Sequence, residues 1–187
     1  MKPIVAVDKI METASRLFFS QGYNLTGINQ ILEESNVSKP SLYKYFPSKN
    51  DLLLAYLDDL HKRWFGGLAD FIKPVKEPGE RLTGIFDYRI DRQIQSDFGG
   101  CAWTKISAEV PRDNAGVLAK VAEFKKRLRE YMLSLIKEMD RPADRSLSDE
   151  LLAENVFLLL EGAQVQACVN RNTDALVKAK EIVRKLI

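Results

Sequence analysis

The sequence predicts an all-α fold, and three observations lead to that expectation. Apolar residues recur at intervals of three and four along most of the chain, which is the spacing of a helix with one buried face. No segment alternates apolar and polar residues as a half-buried strand does. Glycine, proline and asparagine fall between the periodic segments, where helices end. We expect an N-terminal three-helix domain at residues 1–50, which continues into a helix at 49–72, and a larger C-terminal helical domain at residues 51–187.

Two short helices joined by a tight turn are predicted between Thr26 and Phe46, which together form a helix-turn-helix. The Thr26 hydroxyl can cap the first helix, which would then bury one apolar face. Asn36 suits the turn because asparagine tolerates positive φ better than most residues with a side chain. Ser38 is the predicted cap of the second helix, and Pro40 falls in its first turn, where a missing N–H is no loss.

The exposed side of the second helix carries cations, hydroxyl groups and flat rings. These groups suit contact with DNA phosphates, base edges and thymine methyl groups. From Ser35 to Asn50 the chain has three lysines and no acidic residue, so the local charge is positive although the whole chain carries only +2. The candidate DNA contacts on this helix are Lys39, Pro40, Ser41, Tyr43, Lys44 and Tyr45. Thr26 and Lys49 are further candidates because they stand at helix N-termini, which suit phosphate.

The flanking segments favour the DNA-binding interpretation over an ordinary pair of amphipathic helices. Upstream, a helix with an apolar stripe from Ile10 to Phe18 is predicted to end at Gly22. Downstream, Ser48 with Asp51 three residues later predicts the capped start of another helix. Two helices and an asparagine turn alone would also fit helical proteins that never meet DNA.

The N-terminal sequence resembles the DNA-binding domain of the tetracycline-repressor-like (TetR/AcrR) family of bacterial transcription regulators. The resemblance covers about the first third of the chain and rests on Leu17-Phe18, Gly22-Tyr23, Val37-Ser38-Lys39, Ser41 to Phe46 and Ser48-Lys49. It implies a homodimer that binds a palindromic operator, represses transcription by default and is released by a small-molecule inducer. Asn36 departs from the family pattern, which usually has glycine there.

The last two predicted helices carry more apolar surface than packing on one neighbour requires. They can simply close the core of one chain. The other interpretation is a four-helix interface with two helices from each subunit, which resembles how this family dimerises. The candidate interface residues are Leu152, Val156, Leu159, Ala163, Ala167, Leu176, Ala179 and Val183.

The resemblance also implies a small-molecule site among the C-terminal helices, although the sequence does not identify the inducer. The candidate lining residues are His61, Trp64, Phe65, Phe86, Tyr88, Trp103, Phe124 and Tyr131. Aromatic residues at helical spacing are also the ordinary content of a core, so each of them has that simpler interpretation. His61 is either a surface residue or a partner for an acidic ligand.

Cys101 is a candidate redox site. It is predicted to begin a short helix with Lys105 one turn later, and both features stabilise a thiolate. The segment resembles a pattern found in part of the family, some of whose members sense electrophiles or oxidants through such a cysteine. Alternatively, Cys101 is a small buried hydrophobic residue, as we expect for Cys168.

Composition limits the other functional classes. The chain has 187 residues, 45% of them apolar and 29% charged, and it shows neither an apolar run of membrane-spanning length nor a signal peptide, so we expect a cytoplasmic protein. With one histidine and two separated cysteines, the chain offers no ligand set for a structural zinc site, and we expect no metal and no cofactor. The sequence has no nucleophile elbow, phosphate loop or HExxH motif, so we expect no enzyme. A helical interaction module that does not bind DNA remains an alternative.

Overall fold

The computed structural model describes residues 3–142 and 147–187. Within these ranges every regular element is a helix, which confirms the all-α fold class. The described helices are α1 (Pro3–Ser20), α2 (Ile28–Ser35), α3 (Lys39–Tyr45), α4 (Lys49–Ile72), α5 (Pro78–Gln95), α6 (Ala102–Glu109), α7 (Ala115–Lys137), α8 (Asp149–Asn170) and α9 (Asp174–Leu186). None of these helices combines the length and the apolar character needed to span a bilayer.

The chain divides into two compact units. The first contains Met1–Arg63 and Ala102–Ala122, and the second contains Trp64–Cys101 and Glu123–Ile187. Helices α4 and α7 therefore contribute residues to both units. The first unit is larger than the predicted N-terminal domain, because α6 and the first part of α7 belong to it. The assignment of a DNA-binding domain to residues 1–50 stays a prediction.

The core of the first unit is organised by α1, which packs against both α2 and α3. The predicted stripe of α1 is confirmed, since Ile10, Ala14, Leu17 and Phe18 are all buried. The ring of Phe18 makes edge contacts with Tyr23 and with Tyr56, at centroid distances of 5.4 and 5.6 Å. Gly22 adopts φ of +95°, the left-handed conformation predicted for the end of this segment. This packing fixes the position of α2 and α3 relative to α1.

The second unit is built on α5, α8 and α9, which pack against one another. Seven of the eight predicted interface residues are buried within the chain, and the role of the eight in a dimer interface stays a prediction. Leu159 alone of the eight is half-buried. The buried positions are Leu152, Val156, Ala163, Ala167, Leu176, Ala179 and Val183.

A different set of apolar side chains faces outward on the same two helices. On α8, Leu158 is 59% exposed and Val169 is 71% exposed, with Leu151 and Val165 also exposed. On α9 the exposed apolar residues are Val177, Ile182 and Leu186. A shallow groove between the helices is lined by Leu158, Leu159, Gly162, Ala163, Ala179 and Ile182, among others. The described surface of this unit therefore carries an apolar face, which we call the α8–α9 face.

Candidate nucleic-acid interface

The turn between α2 and α3 is tight. Helix α2 ends at Ser35, and Asn36 follows with φ of 52° and ψ of 42°, as predicted for a residue that tolerates the left-handed region. The N–H of Asn36 donates to the Glu33 carbonyl at 3.2 Å, and the N–H of Val37 donates to the Leu32 carbonyl at 3.3 Å. These bonds satisfy carbonyl groups at the end of α2 and set the direction in which α3 begins.

Local sequence fixes the start and the rotation of α3. The Ser38 hydroxyl oxygen accepts the N–H of Ser41 at 3.4 Å, which confirms the predicted cap. Pro40 stands in the first turn, also as predicted. Leu42 and Phe46 are buried and hold one side of α3 against the domain. The opposite side must therefore face away from the core.

The outward side of α3 is cationic and carries aromatic rings. Lys39, Pro40, Tyr43 and Lys44 are exposed, whereas Ser41 and Tyr45 are half-buried. Within Lys39–Tyr45 there is no acidic residue to offset the two lysines. Six of the eight candidate DNA contacts thus lie together on one short helix, and their role in binding DNA stays a prediction.

Thr26 does not cap helix α2, although the sequence predicted that it would. Its hydroxyl donates to the carbonyl of Gly22 at 2.6 Å, and its side chain is fully buried. Gly27 is the residue that precedes α2, and no side chain caps this helix. The predicted cap at Thr26 is therefore wrong, because the hydroxyl bonds within the loop after α1 and makes no cap bond to α2. A hydroxyl in this position cannot reach a phosphate, so we leave Thr26 out of the proposed interface.

Lys49 begins α4 in a partly covered site. The predicted cap before it is confirmed, since Ser48 accepts the N–H of Asp51 at 3.1 Å and donates its hydroxyl to the Asp51 carboxylate at 2.7 Å. The Lys49 ammonium lies 4.2 Å from the centroid of the Tyr23 ring. Burial lowers the pKa of Lys49, while the carboxylate of Glu109 acts in the opposite direction. A phosphate beside this ammonium would favour its charged form.

Sequence reasoning missed a set of contacts that ties α6 to the loop between α1 and α2, within the first unit. The Glu109 carboxylate accepts the backbone N–H of Asn24 at 2.9 Å, and the Asn24 amide donates to the Glu109 carbonyl at 2.8 Å. A Cβ at Gly22 would come within 2.7 Å of the same carboxylate. Lys105 donates to the carbonyl of Phe19 at 2.6 Å. These partners lie about 85 residues apart, so no local sequence pattern could reveal them.

Replacing Glu109 by alanine is expected to lower the free energy of unfolding by about 1 kcal/mol, because the N–H of Asn24 loses its acceptor. Chemical denaturation of the purified protein measures this change. Glu109→Gln is the matched control, since its amide oxygen can still accept that bond. Equal stability of wild type and Glu109→Ala would show that the contact contributes nothing.

The eight candidate ligand residues are only partly brought together. His61 and Trp103 lie in the first unit, with ring centroids 6.3 Å apart. In the second unit the Trp64 ring makes edge contacts with three of the others, Phe65 at 4.9 Å, Tyr88 at 5.6 Å and Phe124 at 5.1 Å. Phe86 is fully buried, and the hydroxyl of Tyr131 accepts a bond from Arg81 at 3.3 Å. A ligand role for these residues stays a prediction.

Cys101 is more shielded than the sequence suggested. It stands just before α6 and is 6% exposed, whereas Cys168 is half-buried. Lys105 lies one turn later on α6, as predicted, but its ammonium donates to the Phe19 carbonyl. The cation beside Cys101 is instead Lys125, whose Nζ lies 3.8 Å from Sγ and is also paired with Glu161.

We expect iodoacetamide to alkylate Cys168 faster than Cys101 in the folded protein, because reactivity requires an accessible thiolate. The single variants Cys101→Ser and Cys168→Ser allow each rate to be followed separately by mass spectrometry. Labelling both cysteines in denaturant provides the control for intrinsic reactivity. Faster reaction at Cys101 would contradict this prediction and would favour the electrophile-sensor alternative.

Comparison with known proteins identifies the N-terminal segment. Residues 10–56, which include α2, the turn and α3, match the family described as bacterial regulatory proteins, tetR family. The regulator YxaF of Bacillus subtilis is 54% identical over 46 residues, 25% of this chain and 24% of the relative. The regulator LmrA of the same organism is 38% identical over 79 residues, 42% of each chain. The matches thus span less than half of these relatives.

Solved structures extend the likeness in fold to nearly the whole chain. A TetR-family transcriptional regulator from Streptomyces coelicolor, SCO4454, superposes with a TM-score of 0.84 at 22% identity, over 97% of this chain and 95% of its own. A TetR transcriptional regulator from Chloroflexus aurantiacus gives a TM-score of 0.86 at 21% identity, over 98% and 94% of the two chains. Residues 10–56 thus match the tetR family of bacterial regulatory proteins, and the chain shares the fold of solved TetR-family regulators over nearly its whole length.

Proposed function

We propose that the protein is a transcriptional repressor that binds a palindromic operator as a homodimer and leaves DNA when a small molecule binds to its second unit. The observation that carries the proposal is the capped helix α3, whose buried side is fixed by Leu42 and Phe46 and whose free side is cationic. We expect such a protein to act in the cytoplasm, where bacterial DNA lies.

Helix α3 has the properties of a recognition helix. In a helix-turn-helix the second helix enters the major groove and its first turns contact base edges. In α3 these turns carry Lys39, Ser41, Tyr43 and Lys44, which supply cations, a hydroxyl and an amphipathic ring. Lysine can donate to guanine acceptors or phosphates, and a tyrosine ring can pack on a thymine methyl group. We assign sequence readout to Tyr43 and Lys44, and phosphate contact to Lys39 and Lys49.

The proposal requires a homodimer, because one helix-turn-helix module covers too little DNA for tight specific binding. The α8–α9 face is an exposed apolar surface of the kind that marks a protein interface. Two such faces related by a two-fold axis would form a four-helix contact. The dimer would then set two copies of α3 in successive major grooves, about 34 Å apart.

A gel shift of DNA from upstream of the protein's own gene, at two salt concentrations, tests the proposed function. We expect specific retardation that weakens with salt, because phosphate contacts displace counterions. Lys49→Ala should weaken binding to specific and random DNA alike and reduce the salt slope by about one unit per subunit. Lys62→Ala, an exposed lysine farther along α4, is the matched control and should leave both quantities unchanged.

Two outcomes would contradict the proposal at different levels. Unchanged affinity of Lys49→Ala for random DNA would remove Lys49 from the phosphate contacts without affecting the role of α3. Failure of the wild-type protein to bind any duplex more tightly than random DNA would overturn the function, and would favour the alternative of an interaction module that does not bind DNA.

A further inference from the structure

Arg89 on α5 occupies an unusual position for an arginine. The residue is 5% exposed, and its guanidinium carbon lies 5.2 Å from the centroid of the Trp64 ring. An arginine on an amphipathic helix ordinarily extends its charged end into water. Here the charged group is instead enclosed in the second unit beside buried aromatic side chains.

Two of the three guanidinium nitrogens of Arg89 lack hydrogen-bond partners. Its Nε and Nη2 are both shielded from solvent, and neither has a hydrogen-bond partner among the residues that the structure describes. The ring of Trp64 attracts the cation but offers it no hydrogen-bond acceptor. Buried ionic groups are normally paired or hydrogen-bonded, because unpaired burial carries a large free-energy cost.

Three other largely buried cations of the same unit are each paired with a carboxylate of the chain. Lys125 is paired with the carboxylate of Glu161. Arg141 contacts the carboxylate of Asp149 at 2.5 Å, and Lys180 contacts that of Asp87 at 2.5 Å. The unit therefore neutralises its covered cations with its own carboxylates. No carboxylate of the described residues bonds Nε or Nη2 of Arg89, so these two donors are available to an anion from outside the chain.

The unpaired atoms specify the geometry of that anion. Nε and Nη2 lie on the same edge of a guanidinium plane and point their N–H groups in parallel, which matches the two oxygens of a carboxylate. A third buried donor without a partner, the indole Nε1 of Trp64, belongs to the ring that Arg89 covers. Around it stand the rings of Tyr88 and Phe124. These rings can pack against the apolar part of a ligand. They offer few further hydrogen-bond donors, which a phosphate would need because of its higher charge.

We propose that Arg89 binds the carboxylate of a small organic acid with an apolar body, with Trp64 as the second anchoring residue. This inference names the ligand class of the proposed regulator, and its regulatory meaning rests on the proposed function. Because Nε and Nη2 are shielded in the structure, the acid reaches them only when neighbouring side chains move. Binding is thereby coupled to a rearrangement within the second unit, as a ligand that shifts a conformational equilibrium requires.

Thermal unfolding with benzoate and octanoate, against the neutral benzamide and octanamide, tests the proposal. We expect at least one acid to raise the melting temperature of the wild type, and neither amide to do so, because only a carboxylate pairs with Arg89. Arg89→Met should melt no lower than the wild type without ligand, since it removes an unpaired buried charge. It should also lose acid affinity by about tenfold or more.

Two further variants make the result specific to the buried guanidinium group. Arg92→Met, an exposed arginine on the same helix, should keep the full response to acid. Arg89→Lys keeps the charge but loses the two parallel N–H donors, so the acid should raise its melting temperature only weakly. This variant replaces Arg89→Met in the test if Arg89→Met does not fold. The proposal is overturned if no acid shifts the wild type, if the amides act as the acids do, or if both Arg89 variants respond normally.

A gel shift on the same samples separates the ligand proposal from the proposed function. DNA binding without any Arg89-dependent acid response would overturn the ligand class and leave the function intact. An Arg89-dependent response in a protein that binds no DNA would establish the acid site and overturn the function. Release of DNA by the active acid, lost in Arg89→Met, is the result that supports both.

Discussion

Tyr43→Ala is expected to abolish sequence-specific DNA binding while leaving the fold intact. Tyr43 is 38% exposed on the outward side of α3, so its removal exposes no core residue. A base contact of this kind contributes about 1–3 kcal/mol, and the proposed dimer makes it twice. The expected loss is therefore about 2–6 kcal/mol of specific binding free energy, with little change in affinity for random DNA. Fluorescence titration of labelled duplexes measures both affinities.

The control for Tyr43→Ala must remove an equally exposed aromatic ring from a surface that is not proposed to touch DNA. Phe71 on α4 is 43% exposed, and Phe71→Ala should leave DNA affinity unchanged. Circular dichroism and the melting temperature verify that both variants are folded. Full retention of specific affinity by Tyr43→Ala would remove sequence readout from this part of α3.

Leu158→Glu is expected to convert the dimer to monomers and, as a consequence, to abolish operator binding. Leu158 is 59% exposed in the single chain, so a carboxylate there costs the monomer little. In a two-fold interface the substitution removes two buried leucines, each contributing about 1.5–3 kcal/mol, and adds two buried charges. We expect the dimer dissociation constant to rise about a hundredfold or more. Sedimentation equilibrium measures the association directly.

A second variant tests the same interface by steric exclusion. A Cβ at Gly162 would meet no atom within 4 Å in the single chain, so we expect the monomer to accept Gly162→Trp, whose ring would block the close approach of a second α8. Gly66 on α4 is a matched helical glycine whose Cβ position is equally open, and Gly66→Trp should dimerise normally. Normal dimerisation of both Leu158→Glu and Gly162→Trp would move the interface away from the α8–α9 face.

The features that the sequence predicted well are those determined by neighbouring residues. Ser38, Asn36 and the Ser48–Asp51 pair act within three or four positions of the groups they bond, and all of them are confirmed. Thr26 was assigned wrongly because its hydroxyl has two local uses: its oxygen could accept from the free N–H groups of the helix, or its O–H could donate to the Gly22 carbonyl, as it does. Sequence alone does not rank them, since the choice depends on how the loop packs.

The features that the sequence did not reveal depend on tertiary packing. Helix α8 has apolar residues around most of its circumference, with Leu152 and Val156 inside and Leu158 and Val165 outside. Periodicity alone could not distinguish the core side from the exposed side. The contacts of Glu109 with the α1–α2 loop join distant segments, and the burial of Arg89 contradicts its residue type. Both therefore require the folded chain.

The central claim is that two copies of α3, held by a symmetric dimer, read one operator. Selection of bound duplexes from a random-sequence pool tests it most directly, because it presupposes neither the operator nor the inducer. We predict enrichment of an inverted repeat whose half-site centres lie about 10 base pairs apart. Loss of that enrichment with Tyr43→Ala would trace it to α3. Recovery of no motif, or of a single unrepeated half-site, would contradict the account.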